Sequence, residues 1–401
     1  MATLRDHRTP AKQGKRRPRR VRVGAADPRL TPVAGIETVR ELDRVLGITK
    51  ALTAGIGSVK QRARGLSGAQ ALLAMACAQL AGEDFMVGLD RRRQDRAGQV
   101  LEPVPTPAST TWAGIAKRFT PEHLAGLPAA MRLINTRWVN RLPTLRRQTL
   151  LREVTIDGDA TDVEVYGRTK QGAAHAYTGA LTLRPHIGHW AEAGVPLAAE
   201  LMGGTEDPRS NMVDLLDAAI AALPEGVDHI RCRWDAGYFA ADLAKACIAR
   251  GVSFAIGAKR VPPLMAAASR IPDHRWVPAI GMDDTEVAVV DYLPGSWPHD
   301  AQIACIARRT RIPADQIPTS QARKRRTIPK AQLALALEGR IEAVYGYSFI
   351  LTDLNLDDPD DAAQDEQGLR LAEVEHWYRH RTDIEALNKQ GRQTRCRATP
   401  P

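Results

Sequence analysis

Apolar residues recur at helical spacing through the first third of the chain, then switch to strand-like alternation near residue 150. In IETVRELDRVLG, starting at Ile36, the apolar Val39, Leu42, Val45 and Leu46 fall on one helix face. Ser67 precedes the apolar run 69–82 and is a residue type that caps helix N-termini. The proline-bearing stretch LEPVPTPASTT, 101–111, interrupts the pattern, and Ser109 or Thr110 is placed to cap a helix around WAGIAKRF. Residues 35–145 are therefore predicted to be helical.

From Arg152 onward, REVTIDGDATDVEVYG has a period of two. Val154, Ile156 and Gly158 lie on one side, with Thr155, Asp157 and Asp159 on the other. Further strands are predicted in AYTGALTLRPHIGHW (176–190), VPLAAELMGG (195–204), HIRCRWDAGY (229–238) and VSFAIGA (252–258). Between them, SNMVDLLDAAIAAL (210–223) reads as a helix with a serine cap, and FAADLAKACIARG as a helix ending at Gly251. Strands in succession followed by alternating helix and strand predict a mixed α/β sheet with flanking helices. Residues 265–355 are proline-rich, with strand-like pieces such as EVAVVDYL and a basic RKRR at 323–326, and read as a β-rich insertion. An acidic linker, 357–368, leads to a long predicted final helix, LRLAEVEHWYRHRTDIEALNKQ. The expected division is a tail over 1–30, a helical region over 31–147, a sheet over 148–264, the insertion over 265–355 and the final helix and end over 356–401.

Charge adds a partner class to this outline. The 401 residues carry a net +10, and residues 1–23 concentrate it, with nine Lys and Arg against Asp6. That basic, unpatterned tail reads as disordered and as attracted to nucleic acid. The five cysteines include no CxxC pair, so neither a zinc site nor a disulfide framework is indicated, and they read as thiols of a reducing cytoplasm. The longest apolar run, 69–82, is too short to cross a membrane, and no apolar segment backs the N-terminal charges as in a secretory signal.

Three acids stand in informative contexts: Asp159 on the first predicted strand, Asp235 at the end of HIRCRWD, and Glu385 on the final helix. Carboxylates gathered from distant segments suit phosphodiester cleavage with two divalent ions, which they hold as hard oxygen ligands. Tyr378, Arg381, Glu385 and Arg392 are spaced 3, 4 and 7 apart, which places them on one helix face. A surface ion-pair stripe accounts for Arg381 and Glu385 alone, but not for the tyrosine and the second arginine.

These residues resemble a bacterial insertion-sequence transposase with a DDE core of the ribonuclease-H/retroviral-integrase type, nearest the group named after insertion sequence thirteen-eighty. The final helix is similar to the pattern Y-x2-R-x3-E-x6-K, with Arg392 where lysine is usual. Asp159-Ala160-Thr161 and Asp235-Ala236-Gly237-Tyr238 match the other two segments, and the likeness covers about residues 30–392. It implies Asp159, Asp235 and Glu385 as catalytic ligands of two Mg²⁺ or Mn²⁺ ions. Tyr378, Arg381 and Arg392 would position DNA phosphates. The helical region would bind the terminal inverted repeats, helped by the tail. It further implies a homodimer on double-stranded DNA, joining to target DNA, and a cytoplasmic, nucleoid-associated protein.

Within the likeness, Asp157 shares a strand face with Asp159, and the D-x-T context favours Asp159 as first ligand without removing Asp157. Asp162 reads as a turn acid, and His175, His186 and His189 as structural or substrate-facing. Trp276 and Trp297 read as packing residues, with stacking on an extruded base as the alternative. The ending RQTRCRATPP departs from the further helices usual in the family and points to a truncated end. Two other readings therefore stand beside an active transposase: an inactive DNA-binding remnant, and a metal-dependent nuclease without strand transfer.

Overall fold

The structure, a computed structural model, describes residues 27–60, 64–167, 169–176, 179–317, 327–356, 364–382 and 384. Its sheet comprises β1 (Glu153–Ala160), β2 (Val163–Glu164), β3 (Ala174–His175), β4 (Leu181–Trp190), β5 (Val195–Gly203), β6 (His229–Trp234), β7 (Ser253–Ala258), β8 (Val277–Pro278), β9 (Thr285–Val290), β10 (Ala304–Pro313) and β11 (Ala343–Thr352). The strands run in the order β4-β1-β6-β7-β11-β10-β9-β8, and β2, β3 and β5 also pair with β4. β1 is antiparallel to β4 and parallel to β6, and β6 is parallel to β7.

Alternation sorts the side chains to two faces, as the sequence pattern requires. Val154 and Ile156 of β1, Cys232 and Trp234 of β6, and Phe254 and Ile256 of β7 join the larger core. The helices Met212–Ala222 and Ala241–Ala249 contribute Leu215, Leu216, Ala219, Leu243 and Cys247 to it. The opposite face carries a smaller core of Ala255, Val287, Ile306 and Ile350 under Leu371, Ala372 and Val374 of the final helix, Gln364–Arg379. Residues 265–355, expected as an insertion, supply β8–β11, and β11 pairs with β7 from Phe349↔Ala258 to Thr352↔Ala255, so these strands continue the sheet.

Helices fill the described residues from Ile36 to Arg152, in line with the periodicity. Ser67 caps Gly68–Leu80 in a full capping box: its hydroxyl accepts from Gln70 N, and the Gln70 side chain accepts from Ser67 N. Two other caps differ from expectation. Ser109 is the first residue of its helix, not the cap, because its N–H and hydroxyl donate to Asp90 at 3.0 and 2.5 Å. Ser210 lies in a short turn started by Asp207 and Pro208, where its hydroxyl donates to the Asp207 carbonyl, and the helix begins at Met212. Asn135 of the helix Leu127–Val139 donates to the Ala222 carbonyl at 2.9 Å and ties the helical region to the end of the helix Met212–Ala222.

The four described cysteines are free and buried. Trp276 and Trp297 are also buried, at 6% and 3% exposure, and pack in the larger core. No helix among the described residues is long and apolar enough to cross a membrane.

Candidate active site

β1 and β6 lie side by side and parallel, so residues of like alternation point to the same face at the same end. Thr155, Asp157 and Asp159 of β1 share the face of Arg231 and Arg233 of β6, and Asp235 follows where β6 ends. That face meets the final helix: Trp377 Nε1 donates to Thr155 Oγ1 at 3.2 Å, and the Arg231 guanidinium lies 4.4 Å over the Trp377 ring.

Asp157 and Asp159 have different fates along this face. Asp157 is 2% exposed and Arg233 4%, and Arg233 Nε and Nη2 donate to the two carboxylate oxygens at 2.6 and 2.7 Å. Arg233 also donates to the Trp377 carbonyl. Burial dominates the Asp157 carboxyl and pushes it up to about 6, with Arg233 opposing. Asp159 sits one alternation further, partly exposed, and lines a cavity of about 210 Å³ with Thr161, Asp162, Arg184, Asp235 and Tyr238.

Asp235 terminates β6 and opens a single 3₁₀ turn, Ala236–Tyr238. Its Oδ1 accepts from Gly237 N at 2.8 Å, which fixes the carboxylate against the turn. Arg184, on the rim, donates through Nε to Asp162 at 2.8 Å and through Nη1 to the Glu206 carbonyl at 2.7 Å.

An aromatic column supports the cavity. A Cβ on Gly158 would lie 1.9 Å from the Trp234 ring, so glycine is what lets that ring cross β1. Trp234 tilts against Tyr238 with centroids 4.8 Å apart, and Tyr238 stacks on His186 at 5.5 Å and 22°. His186 Nδ1 lies 2.9 Å from Glu200 Oε1. Burial first, then Asp159 and Asp235, hold the Tyr238 phenol above the ordinary tyrosine range.

Of the residues singled out on the predicted final helix, Tyr378 lies on it, whereas Arg381 follows its end at Arg379 in a turn with His380, so the helix is interrupted there rather than continuous as expected. Glu385 and Arg392 lie outside the described residues. The Tyr378 hydroxyl donates to the Trp234 carbonyl at 3.2 Å, directly before Asp235. A Cβ at Gly257 would meet that hydroxyl at 2.5 Å, so β7 leaves room for it. Arg381 is buried, with a backbone bond to the Tyr378 carbonyl. His186 and His189 are buried in the fold and His175 Nδ1 meets the Gly179 carbonyl, so the three do not converge on the acid cavity. Among the described residues no group of three or more His, Cys, Asp or Glu is placed to hold a metal ion.

Sequence patterning did not reveal the Arg233–Asp157 pair, the Arg184–Asp162 pair or the His186–Tyr238 stack. Arg233 and Asp235 were two apart on one strand, which was the available signal that an arginine shares the acids' face.

A second cavity, of about 420 Å³, lies in the helical region. Lys60, Arg64, Arg118, Thr111 and Ile115 are among its lining residues, and among the described residues no Asp or Glu lines it. The Lys60 ammonium donates to the Gly65 carbonyl and closes the loop that leads to Ser67.

A mixed sheet that brings two carboxylates to one cavity at neighbouring strand ends defines a candidate phosphoryl-transfer enzyme of the carboxylate type. Comparison with known families narrows this. The chain matches the family described as Transposase DDE domain group 1 over residues 13–318, and it belongs to that family, whose chemistry is DNA transposition with divalent metal ions in general. Among solved structures it is similar to one described as a cryo-EM structure of the piggyBac transposase synaptic complex with hairpin DNA. That likeness is 9% identical with a TM-score of 0.37, covering 88% of this chain and 67% of that chain. No match was found among curated proteins.

Proposed function

We propose that this chain is a transposase that cuts DNA at the ends of a bacterial insertion sequence of the thirteen-eighty group and joins the freed 3′-OH to target DNA. The observation that carries the reading is the meeting of Asp159 and Asp235 at one cavity, from adjacent parallel strands, in a chain of the DDE family. The order β5-β4-β1-β6-β7, antiparallel through β1 and parallel beyond it, supports a ribonuclease-H-like core.

Asp159 and Asp235 offer hard carboxylate oxygens and fit Mg²⁺ or Mn²⁺, with Glu385 as the third ligand that the family resemblance implies. Two such ions would supply Lewis acidity toward the phosphate oxygens. The chain's own groups do the positioning. Gly237 N orients Asp235, and the Arg233–Asp157 pair locks the two acid-bearing strands together. Tyr378 anchors the backbone before Asp235, and Arg184 stands at the rim where a DNA phosphate would pass. Lys60, Arg64 and Arg118 give the helical region a basic hollow suited to duplex phosphates, consistent with binding of the terminal repeats. A homodimer bridged by DNA, located at the nucleoid, completes the proposal.

The test is to incubate the purified chain with Mg²⁺ or Mn²⁺ and a duplex bearing the element's own end. Cleavage and joining that vanish in Asp235→Ala support the transposase. Binding without cleavage by the unaltered chain identifies an inactive DNA-binding remnant, and cleavage of any DNA without joining identifies a nuclease.

A further inference from the structure

Tyr238 is among the most deeply buried large side chains of the fold, at 1% exposure. Its ring is held on two sides, by His186 stacked at 5.5 Å and by Trp234 at 4.8 Å, and His186 is itself pinned by Glu200. Rings held this way cannot swing out to find water. Yet its hydroxyl has no hydrogen-bond partner among the described residues. A buried phenol ordinarily finds one, and leaving it without one costs free energy.

The position of that hydroxyl gives the reason. Tyr238 ends the 3₁₀ turn that Asp235 begins, and it lines the same cavity as Asp159 and Asp235. Asp159, Asp235 and the Tyr238 hydroxyl are thus carried on rigid backbone, the acids as acceptors and the phenol as an O–H donor. A donor held beside a cation-accepting pair is matched by an anionic oxygen that arrives with the cation.

We propose that the Tyr238 hydroxyl donates a hydrogen bond to a non-bridging oxygen of the DNA phosphodiester bound at Asp159 and Asp235. This rests on the transposase reading of that cavity and names a binding residue that the acid triad omits. The vacant donor is kept unsatisfied in the free protein so that the substrate completes it.

Tyr238→Phe in the full chain tests this, since it keeps the stacked ring and removes one oxygen. Affinity for a short duplex carrying the element's end is measured by fluorescence anisotropy, in Ca²⁺ and in EDTA. In Ca²⁺ the variant should bind about 10–150-fold more weakly, the worth of one hydrogen bond to a charged group. In EDTA the two proteins should agree within about twofold. Its melting temperature should stay level or rise by about 1–4 °C, because an unsatisfied buried group is gone. Equal affinity in Ca²⁺ overturns the proposal, as does a melting temperature lowered by about 5 °C or more, which would show that the hydroxyl holds the fold. Absence of cleavage by the unaltered chain would sink the active-enzyme reading and leave this binding comparison decisive for Tyr238.

Discussion

Arg233 grips Asp157 through both carboxylate oxygens, at 2.6 and 2.7 Å, and the two partners stand two residues along the chain from Asp235 and Asp159, which line the cavity. The pair is buried, so removing one partner strands a charge away from water. Asp157→Ala is expected to lose about 3–5 kcal/mol of folding stability. Asp159→Ala, on the same strand face but at the cavity, should stay within about 1 kcal/mol of the parent. Urea unfolding of the two variants checks this. If Asp159→Ala proved the more destabilised, the division of labour between the two acids would be wrong. In cleavage assays, Asp159→Ala should be inactive while folded.

Gly158 and Trp234 form a second coupled pair. Gly158→Ala places a methyl where the ring now lies, 1.9 Å from its nearest carbon. Overpacking of this kind costs about 1–3 kcal/mol or more. Combining it with Trp234→Leu, which vacates the space, should recover part of the loss. Strict additivity in the double variant would mean that the two sites do not share that space.

Asp353 supplies a pH dependence. Its carboxylate accepts from Phe254 N at 2.6 Å, yet burial pushes it up to about 6 from 3.8. The folded state therefore binds the proton more readily than the unfolded state between those values. The sign follows: this group's contribution to stability falls as pH rises from about 4 to about 6 and stays low above it. Asp353→Asn should gain about 1–3 kcal/mol at pH 8, a gain that shrinks toward zero near pH 4. Thermal melts across that range measure it, and a gain that grew on acidification would contradict the assignment.

The basic hollow of the helical region should act through phosphates alone. The double substitution Arg64→Ala/Arg118→Ala is expected to weaken duplex binding about tenfold or more at moderate salt. The slope of log affinity against log salt should become shallower by about 2, equally for all sequences. A loss confined to one DNA sequence would instead indicate base reading.

Much of this architecture is legible in the sequence where the governing physics is local. The alternation of 154–159 correctly separates the core-facing Val154 and Ile156 from the face of Asp157 and Asp159, because neighbouring strand residues must point oppositely. The capping box at Ser67 is legible for the same reason. What distant partners decide was not. Asp157 is set apart from Asp159 by its burial and by Arg233, a partner 76 residues away. Ser109 is diverted from capping by Asp90, and β11 joins β7 through a register that local periodicity does not encode. Tyr378, expected from the resemblance to position a DNA phosphate, has its hydroxyl on the carbonyl beside Asp235, a partner 144 residues away that its helix pattern does not encode.

The two bonds by which the final helix clasps the end of β6, Tyr378 to Trp234 and Arg233 to Trp377, each span 144 residues. At ribosomal speeds of about 5–20 residues per second, roughly 7–30 s separate the emergence of one side from the other. Through that interval the strand bearing Asp235 is already made but its brace does not yet exist. The site thus matures late, and a chain still being translated carries its acids without the clasp that sets them in place.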